Sequence, residues 1–203
     1  MTYRLAKLLL GLLLFAVGVT LTVQAELGLA PWDVLHSAVS ELASIGFGTA
    51  SVLVSAGVLL LAMLLGTRPG IGTVLNTLLI GAVIEILLRA GFLGAADRWP
   101  WIARLVLLVG GLAVIGVGSA LYIGAHLGSG PRDSLMLAVH RRLHAPIFLA
   151  RTITEGTAFL LGWLLGGAVG IGTVVSVLLI GPMVQLGFRL LRQTPLRAAE
   201  VRT

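Results

Sequence analysis

Ionisable side chains lie inside segments that are otherwise apolar, and these residues have the most scope for chemistry. Glu85 and, 100 residues later, Gln185 each follow a glycine by four positions. Arg151 and Glu155 are four residues apart, so they can pair on one face of a helix. An ionisable group in apolar surroundings is costly to bury and is by default a candidate for function, although a structural ion pair or interhelical hydrogen bond is the alternative. The hypothetical substrate-binding residues are Glu85, Gln185, Arg151, Glu155, Asn76 and Ser176.

Patterns typical of catalysis or metal binding are absent from the sequence. It contains no H-E-x-x-H pattern, no phosphate-binding loop and no Ser/His/Asp order, so nothing supports an enzyme. His140 and His144 are four residues apart, but Arg141 and Arg142 between them would repel a cation. We expect this face to meet anionic lipid head groups. The chain has no cysteine, which excludes disulfides and thiolate metal sites. No catalytic residue, metal or cofactor is therefore predicted.

A polar turn occurs twice, 100 residues apart, as GLAPWDVL at 28–35 and GSGPRDSL at 128–135. Proline starts helices well at their first position, and an aspartate two residues later faces the unpaired N–H groups of the first turn. Glycine lets the chain turn sharply before the helix. A second motif, GIGT, begins at 70 and again at 170, where the threonine can cap the following helix. These helix-start or gating positions are Gly28, Pro31, Asp33, Gly128, Pro131, Asp133, Gly70, Gly72, Thr73, Gly170, Gly172 and Thr173.

The composition indicates an integral membrane protein. Of the 203 residues, 58% are hydrophobic and only 11% are charged, whereas a soluble domain has about 25% charged residues. Apolar runs such as those at 8–23 and 105–125 approach the length of about 20 residues that a helix needs to cross a bilayer. Residues 1–25 resemble a secretory signal, but they have an internal counterpart at 101–125, so we expect them to be retained.

An internal duplication is visible when the sequence is compared with itself at an offset of 100. Of the 80 pairs from 11/111 to 90/190, 29 are identical, and these include rarer residues such as proline, aspartate and arginine. The sequence predicts an all-α fold of two three-span repeats, at 1–95 and 96–203, each with a short amphipathic or re-entrant helix after its first span. The expected spans are about 6–26, 47–66, 71–90, 104–126, 147–166 and 170–190, with short helices at 31–44 and 131–144 and a basic cytoplasmic tail at 191–203.

Three spans per repeat is an odd number, so the second repeat should enter the membrane from the opposite side. With both termini in the cytoplasm, basic residues collect inside, as the positive-inside rule requires. The inside residues would be Arg4, Lys7, Arg68, Arg132, Arg141, Arg142, Arg189, Arg192, Arg197 and Arg202, with Arg151 near the boundary. The outside would hold only Arg89, Arg98 and Arg104. Eight spans would instead place Asp33, His36 and Glu41 in the hydrocarbon at high cost.

The G-x-x-P-x-D turn after the first span and the G-I-G-T-x-x-x-x-x-x-x-G entry to the third resemble the YczE/YyaS/YitT group of bacterial membrane proteins, in particular its YczE-like branch. The resemblance covers nearly the whole chain. It implies a small protein of the bacterial inner membrane, from a family without an established activity, and it supplies no substrate or catalytic residue.

The first functional hypothesis is a transporter that moves a small solute through a central polar site, with a cation or protonated amine favoured. The second is a non-transporting scaffold that assists or regulates a partner, and the third, weaker one is an enzyme acting on lipid-soluble substrates. The expected partners are the lipid bilayer, an unknown small solute and a second copy of this small chain. A nucleic acid is not expected, because the basic residues lie at the ends of apolar segments.

Overall fold

The structure, a computed structural model, describes residues 1–94 and 96–192, and these form helices and loops without a strand. Six helices are long and apolar enough to cross a membrane, as predicted. They are α1 (Thr2–Gln24), α3 (Phe47–Leu64), α4 (Ile71–Arg89), α5 (Trp101–Ile123), α7 (Ile147–Leu164) and α8 (Ile171–Leu190). Two short helices, α2 (Pro31–Ala43) and α6 (Pro131–Leu143), follow α1 and α5, and a 3-10 turn (Ala96–Arg98) precedes α5. The predicted basic tail lies, from residue 193 onward, outside the described residues.

The eight helices pack as two layers. The first layer is a row in the order α4, α1, α5, α8, and its core contains fully buried leucines from α1 and α5, such as Leu12 and Leu112. The second layer consists of α2, α3, α6 and α7 around a smaller apolar cluster of Trp32, Ala62 and Leu135 with Ala158. Each layer takes two helices from each half of the sequence, so the packed units are not the sequence repeats themselves.

The first layer is centred on a close, antiparallel contact between α1 and α5. A Cβ atom on Gly11 would lie 2.5 Å from the backbone nitrogen of Tyr122, and one on Gly18 would lie 2.8 Å from the carbonyl oxygen of Gly111. The start of α1 therefore meets the end of α5. Only glycine allows two backbones to approach this closely, so these residues determine how tightly the row can pack.

The contacts between the two halves occur in reciprocal pairs. The Nε of Arg4, in the first turn of α1, donates to the carbonyl oxygen of Ala125 at 2.8 Å. The Nε of Arg104, in the first turn of α5, donates to the carbonyl oxygen of Ala25 at the same distance. Each arginine thus satisfies a carbonyl beyond the last turn of the opposite helix, where no intrahelical partner is available.

The two halves differ at one helix pair. α3 packs along α4, and a Cβ on Gly48 would collide with the carbonyl oxygen of Gly81. α7 and α8, both fully described, make no comparable contact. The counterpart of Gly48 is Phe148, which is 79% exposed, and Gly181 has open space beside it. The side of the molecule between α7 and α8 is therefore open, whereas the side between α3 and α4 is closed.

Candidate functional site

A cavity of about 150 Å³ lies between the two layers, lined by residues from all eight helices. Its lining reflects the duplication, because nine positions of the first half and their counterparts 100 residues later both contribute. The pairs are Phe15 with Ile115, Val19 with Ser119, Ala30 with Gly130, Pro31 with Pro131, Trp32 with Arg132, Asp33 with Asp133, Ser51 with Arg151, Ser55 with Glu155 and Ile80 with Ile180. The cavity is thus built from equivalent surfaces of the two halves.

The short helices bring the G-x-x-P-x-D motifs to this cavity. Pro31 and Pro131 are the first residues of α2 and α6, as predicted, and both helix starts lie in the interior and line the cavity. Asp33 and Asp133 lie in the first turns of α2 and α6, near the positive helix ends, but among the described residues neither carboxylate accepts a hydrogen bond from a backbone N–H. The first half of α2 is buried on its polar side as well as its apolar side, so Asp33 does not lie on a solvated face. The carboxylates are held by side chains from other elements instead.

Asp33 is neutralised from the opposite half of the chain. It is 2% exposed, and a terminal guanidinium nitrogen of Arg132 donates to its Oδ1 at 3.2 Å. The same guanidinium lies over the ring of Trp32, 5.4 Å from the ring centre, in a cation–π contact. Burial acts to raise the pKa of Asp33, but the neighbouring His36 and Arg132 outweigh it and hold the pKa below its ordinary value. Asp33 is therefore an ionised partner of Arg132.

Arg132 has a role in the structure that the charge pattern does not indicate. The charge pattern places it among the basic residues of the cytoplasmic side, and the structure shows it at the cavity, paired with Asp33. The sequence held one signal for this role, since Arg132 occupies the position of Trp32 inside the repeated motif. A basic residue inside a duplicated motif that contains an aspartate therefore indicates an ion pair, and not only the orientation of the chain in the membrane.

Asp133 lacks such a partner. Its Oδ2 accepts a hydrogen bond of 3.1 Å from the hydroxyl of Tyr122, and no basic side chain of the described residues forms a salt bridge with it. It lies deep in the protein but keeps part of its surface exposed to the cavity. Burial raises the pKa of Asp133, and Glu155 adds to this; the opposing effects of Arg151, the Tyr122 hydroxyl and Arg132 do not cancel it.

The predicted pair of Arg151 and Glu155 is present in α7 and lines the cavity. Arg151 Nε donates to Glu155 Oε1 at 2.9 Å, and the two side chains are 47% and 31% exposed. Their counterparts Ser51 and Ser55 line the opposite wall, so the charge in this region is confined to one half. The pair lies on the helix that borders the open side of the molecule.

The charges that line the cavity do not balance. Asp33 with Arg132 and Glu155 with Arg151 form two ion pairs, which leaves the carboxyl group of Asp133 unpaired. The positive ends of α2 and α6 also face the cavity, but a helix end contributes only about 0.3–1 kcal/mol to a nearby charge. Leaving a carboxylate buried without a partner costs several kcal/mol, so the helix ends do not replace a counter-ion.

The other predicted substrate-binding residues separate into two groups. Asn76 lines the cavity, whereas Glu85, Gln185 and Ser176 do not. Ser176 is fully buried and its hydroxyl has no hydrogen-bond partner among the described residues. Gln185 is exposed on the outer surface of α8.

Glu85 holds α3 against α4. Its Oε2 accepts a hydrogen bond from the backbone N–H of Thr49 at 3.1 Å, and its Oε1 accepts one from Arg89 Nε at 2.7 Å. Because the first N–H groups of a helix have no intrahelical partner, the carboxylate acts as a remote cap of α3. This role depends on a contact between two helices, which the position of Glu85 in the sequence does not reveal.

The GIGT motifs connect the two halves outside the cavity. The backbone N–H of Gly72 donates to the carbonyl oxygen of Leu127 at 2.8 Å, and that of Gly172 donates to Leu27 at 2.5 Å. Thr73 Oγ1 accepts from the N–H of Gly70, and Thr173 does the same in the second half, each at 3.2 Å, as a helix cap would. Gly28 and Gly128 have positive φ angles of 105° and 133° and pack against Gly170 and Gly70.

The three histidines of the short helices have different environments. His36 is 1% exposed; its Nδ1 lies 3.2 Å from Asp33 Oδ1, but neither ring nitrogen has a well-formed hydrogen bond. Burial is the main cause that lowers the pKa of His36, against the opposing effect of Asp33. His140 Nδ1 lies 2.6 Å from the carbonyl oxygen of Ala145, and His144 is exposed. Among the described residues, no group of three or more metal-ligating side chains is present.

Comparison with known proteins places this chain in a family. A family model described as "Family of unknown function (DUF6198)" matches residues 2–189. The chain belongs to DUF6198.

Similar proteins include three from two bacteria. An uncharacterized protein of Haemophilus influenzae is 35% identical over 188 residues, covering 93% of this chain and 84% of the relative. The uncharacterized membrane protein YczE of Bacillus subtilis is 32% identical over 174 residues, covering 84% and 79%. The uncharacterized protein YyaS of the same species is 27% identical over 188 residues, covering 87% and 88%. No solved structure matches this chain. The resemblance to the YczE-like group is therefore confirmed, and the chain is a membrane protein with several spans.

Proposed function

We propose that this DUF6198 protein is a transporter of a small solute in the bacterial inner membrane, with the cavity as its substrate site. The observation that carries the proposal is the lining of the cavity, where matched positions of two duplicated halves meet at the starts of two short helices. Transporters with internal repeats place their substrate sites at such a meeting of short or broken helices. The proposed site contains Arg151, Glu155 and Asn76 from the predicted set, together with Asp33, Arg132 and Asp133.

We further propose that the two halves are inverted repeats, with both termini in the cytoplasm. The antiparallel packing of α1 and α5 supports this, because these helices occupy equivalent positions in the two repeats. The reciprocal hydrogen bonds of Arg4 and Arg104 support it too, since exchanging the halves reproduces them. Such an exchange is what a pseudo-two-fold axis in the membrane plane would produce.

The difference between the closed α3–α4 side and the open α7–α8 side supports alternating access. In this proposal the molecule alternates between two states. A second state would move α7 towards α8, less closely than α3 packs on α4 because Phe148 replaces Gly48, and would separate α3 from α4, which exposes the cavity to the other side of the membrane. The hydrogen bonds of Glu85 would hold the α3–α4 side closed in the first state.

The size of the cavity limits the solute. A volume of about 150 Å³ accommodates a molecule of roughly the size of benzene. Its lining combines ion pairs with aromatic and aliphatic side chains, so the solute should be both compact and polar.

The experiment is a thermal-shift screen of compact polar solutes on purified protein, followed by flux measurements in proteoliposomes. A solute that binds only the folded protein adds about 2.7 kcal/mol of apparent stability at a hundredfold excess over Kd. We expect hits on the native protein to be lost in Glu155→Gln and kept in Glu41→Gln, a control on the exposed end of α2. The proposal is contradicted if solutes bind the protein but cross proteoliposome membranes no faster than they cross the membranes of protein-free vesicles.

The exposed polar surface of α7 favours a second candidate function, a scaffold for a partner. Arg151, Thr152 and Thr157 are exposed on α7, which is long and apolar enough to cross a membrane. Polar side chains rarely face lipid, so a helix from a partner or a second copy could cover them. Cysteine cross-linking from position 152 in native membranes tests this. A cross-link to another chain supports the scaffold. Labelling by water-soluble reagents without a cross-link shows instead that this surface of α7 is open to water.

A further inference from the structure

We propose that the carboxyl group of Asp133 is an exchange site at which a proton and a small monovalent organic cation compete. This inference rests on the proposed function, because it names the class of substrate for the same cavity. If it is correct, transport exchanges protons for cations.

The first argument is the pairing of charges in the cavity. Each arginine that lines it already has an acidic partner: Arg132 is bound to Asp33 and Arg151 to Glu155. The remaining acidic group, Asp133, forms a hydrogen bond with the neutral hydroxyl of Tyr122 and has no salt bridge among the described residues. One further positive charge is needed, and either a proton on the carboxyl or a bound cation supplies it. A proton on Asp133 and a bound cation together would leave the cavity with one excess positive charge, so the two compete.

The second argument is the surroundings of Asp133 on every side. The ionisable groups that face it are Tyr122 from α5, Arg132 from its own helix, and Arg151 with Glu155 from α7. The walls contributed by α3 and α4 carry neutral side chains, among them Ser51 and Asn76. Burial in this environment favours the protonated form of the carboxyl. The Tyr122 hydroxyl donates to the ionised form, so it can hold the carboxylate in place once the proton has left.

The third argument is the contrast with Asp33. The two aspartates are equivalent in the repeat, but Arg132 has a tryptophan, not a basic residue, as its counterpart in the first half. Of the arginines in the described part of the chain, Arg132 is therefore the one at the junction of α2 and α6, and it binds Asp33 at 3.2 Å. The duplication thus produced two carboxyl groups of which one is fixed in an ion pair and the other is free to exchange.

The cation in this proposal is compact and organic. The cavity of about 150 Å³ is lined by the aromatic rings of Phe15 and Tyr122, and Tyr122 lies next to the carboxyl group of Asp133. Aromatic rings suit an alkylammonium group better than a hydrated metal ion. Tetramethylammonium is a suitable probe, because it is compact and cannot itself gain or lose a proton.

The test uses the purified full-length protein in detergent, with tetramethylammonium chloride as the probe. Infrared difference spectra and the release of protons into a weakly buffered solution are recorded together. At a pH below the pKa of the Asp133 carboxyl, where this group carries its proton, we expect the probe to remove the band of one protonated carboxyl group and to release up to one proton per protein. Asp133→Asn should abolish both signals and weaken binding of the probe at least tenfold. Glu41→Gln, far from the cavity, should retain both.

A second variant keeps the test decisive if Asp133→Asn folds poorly. Tyr122→Phe preserves the ring and removes only the hydrogen bond to the ionised carboxylate, so the titration of the carboxyl band should move up by about one pH unit or more. An unmoved titration in Tyr122→Phe, or proton release that persists in Asp133→Asn, would overturn the exchange site. Proton exchange at Asp133 without solute flux would support the exchange site and contradict the transport function. Flux that is independent of pH and of Asp133 would support transport and contradict the exchange site.

Discussion

Removing Arg132 is the perturbation with the largest effect that the structure implies. Arg132→Gln deletes the guanidinium that neutralises Asp33 while keeping a side chain of similar length. Asp33 is 2% exposed, so it would be left as a buried carboxyl group without a basic partner. Arg151→Gln is the matched control, because it removes the other arginine of the same cavity from a pair that is much more exposed.

Two independent arguments give the size of the stability loss in Arg132→Gln. Breaking a buried ion pair by removing one partner costs about 3–5 kcal/mol. Asp33 can instead take up a proton, and bringing a carboxyl of ordinary pKa to its neutral form at pH 7 costs about 4 kcal/mol. Arg132 retains 29% exposure, so we expect a loss near the lower limit, about 3 kcal/mol in the free energy of unfolding. Arg151→Gln should cost about 0.5 kcal/mol or less, as exposed i, i+4 pairs do.

Equilibrium unfolding in mixed micelles, titrated with sodium dodecyl sulfate, measures both losses. The double variant Asp33→Asn with Arg132→Gln removes both charges and should recover most of the stability, to within about 1 kcal/mol of the unmodified protein. The reasoning is refuted if Arg132→Gln costs no more than Arg151→Gln, or if the double variant is no more stable than Arg132→Gln alone.

Two further predictions concern helix packing. A Cβ on Gly111 would lie 2.9 Å from the carbonyl oxygen of Gly18, so Gly111→Ala should lower the free energy of unfolding by about 1–3 kcal/mol. Gly110 has open space beside it, so Gly110→Ala should be neutral or slightly stabilising in the same unfolding titration. Equal losses in the two variants would contradict the close α1–α5 contact. Glu85→Gln keeps an acceptor for the N–H of Thr49 but removes the charge, so it should lower the free energy of unfolding by about 1 kcal/mol. It should also increase the distance between α3 and α4, as measured by cross-linking. Unchanged distances would show that Glu85 does not hold these helices together.

The long helices could be predicted from the sequence because their signals are local. A run of apolar residues and a repeated G-x-x-P-x-D turn require no knowledge of distant contacts, and α2 begins at Pro31 as its motif indicated. The pair of Arg151 and Glu155 was also predictable, since both residues lie on one turn of one helix.

The rest of the site depends on contacts between helices that are distant in the sequence. Arg132 reaches Asp33 across 99 positions, and Glu85 reaches Thr49 across 36. Spacing within a helix gives no information about such pairs. Glu85 was assigned to the predicted substrate site because it lies in an apolar segment, but its partner is the start of α3. The duplication could have indicated the difference, since Gln185, the counterpart of Glu85, carries no charge.

The central claim, that one cavity is formed by two halves of opposite orientation, is tested most directly by the sidedness of equivalent positions. The chain has no cysteine, so single cysteines at Leu42 and Arg142, both exposed near the ends of α2 and α6, can be labelled from either face of sealed membranes. A membrane-impermeant maleimide should react with Leu42→Cys from one side only and with Arg142→Cys only from the other. Reaction of both positions from the same side would contradict the account.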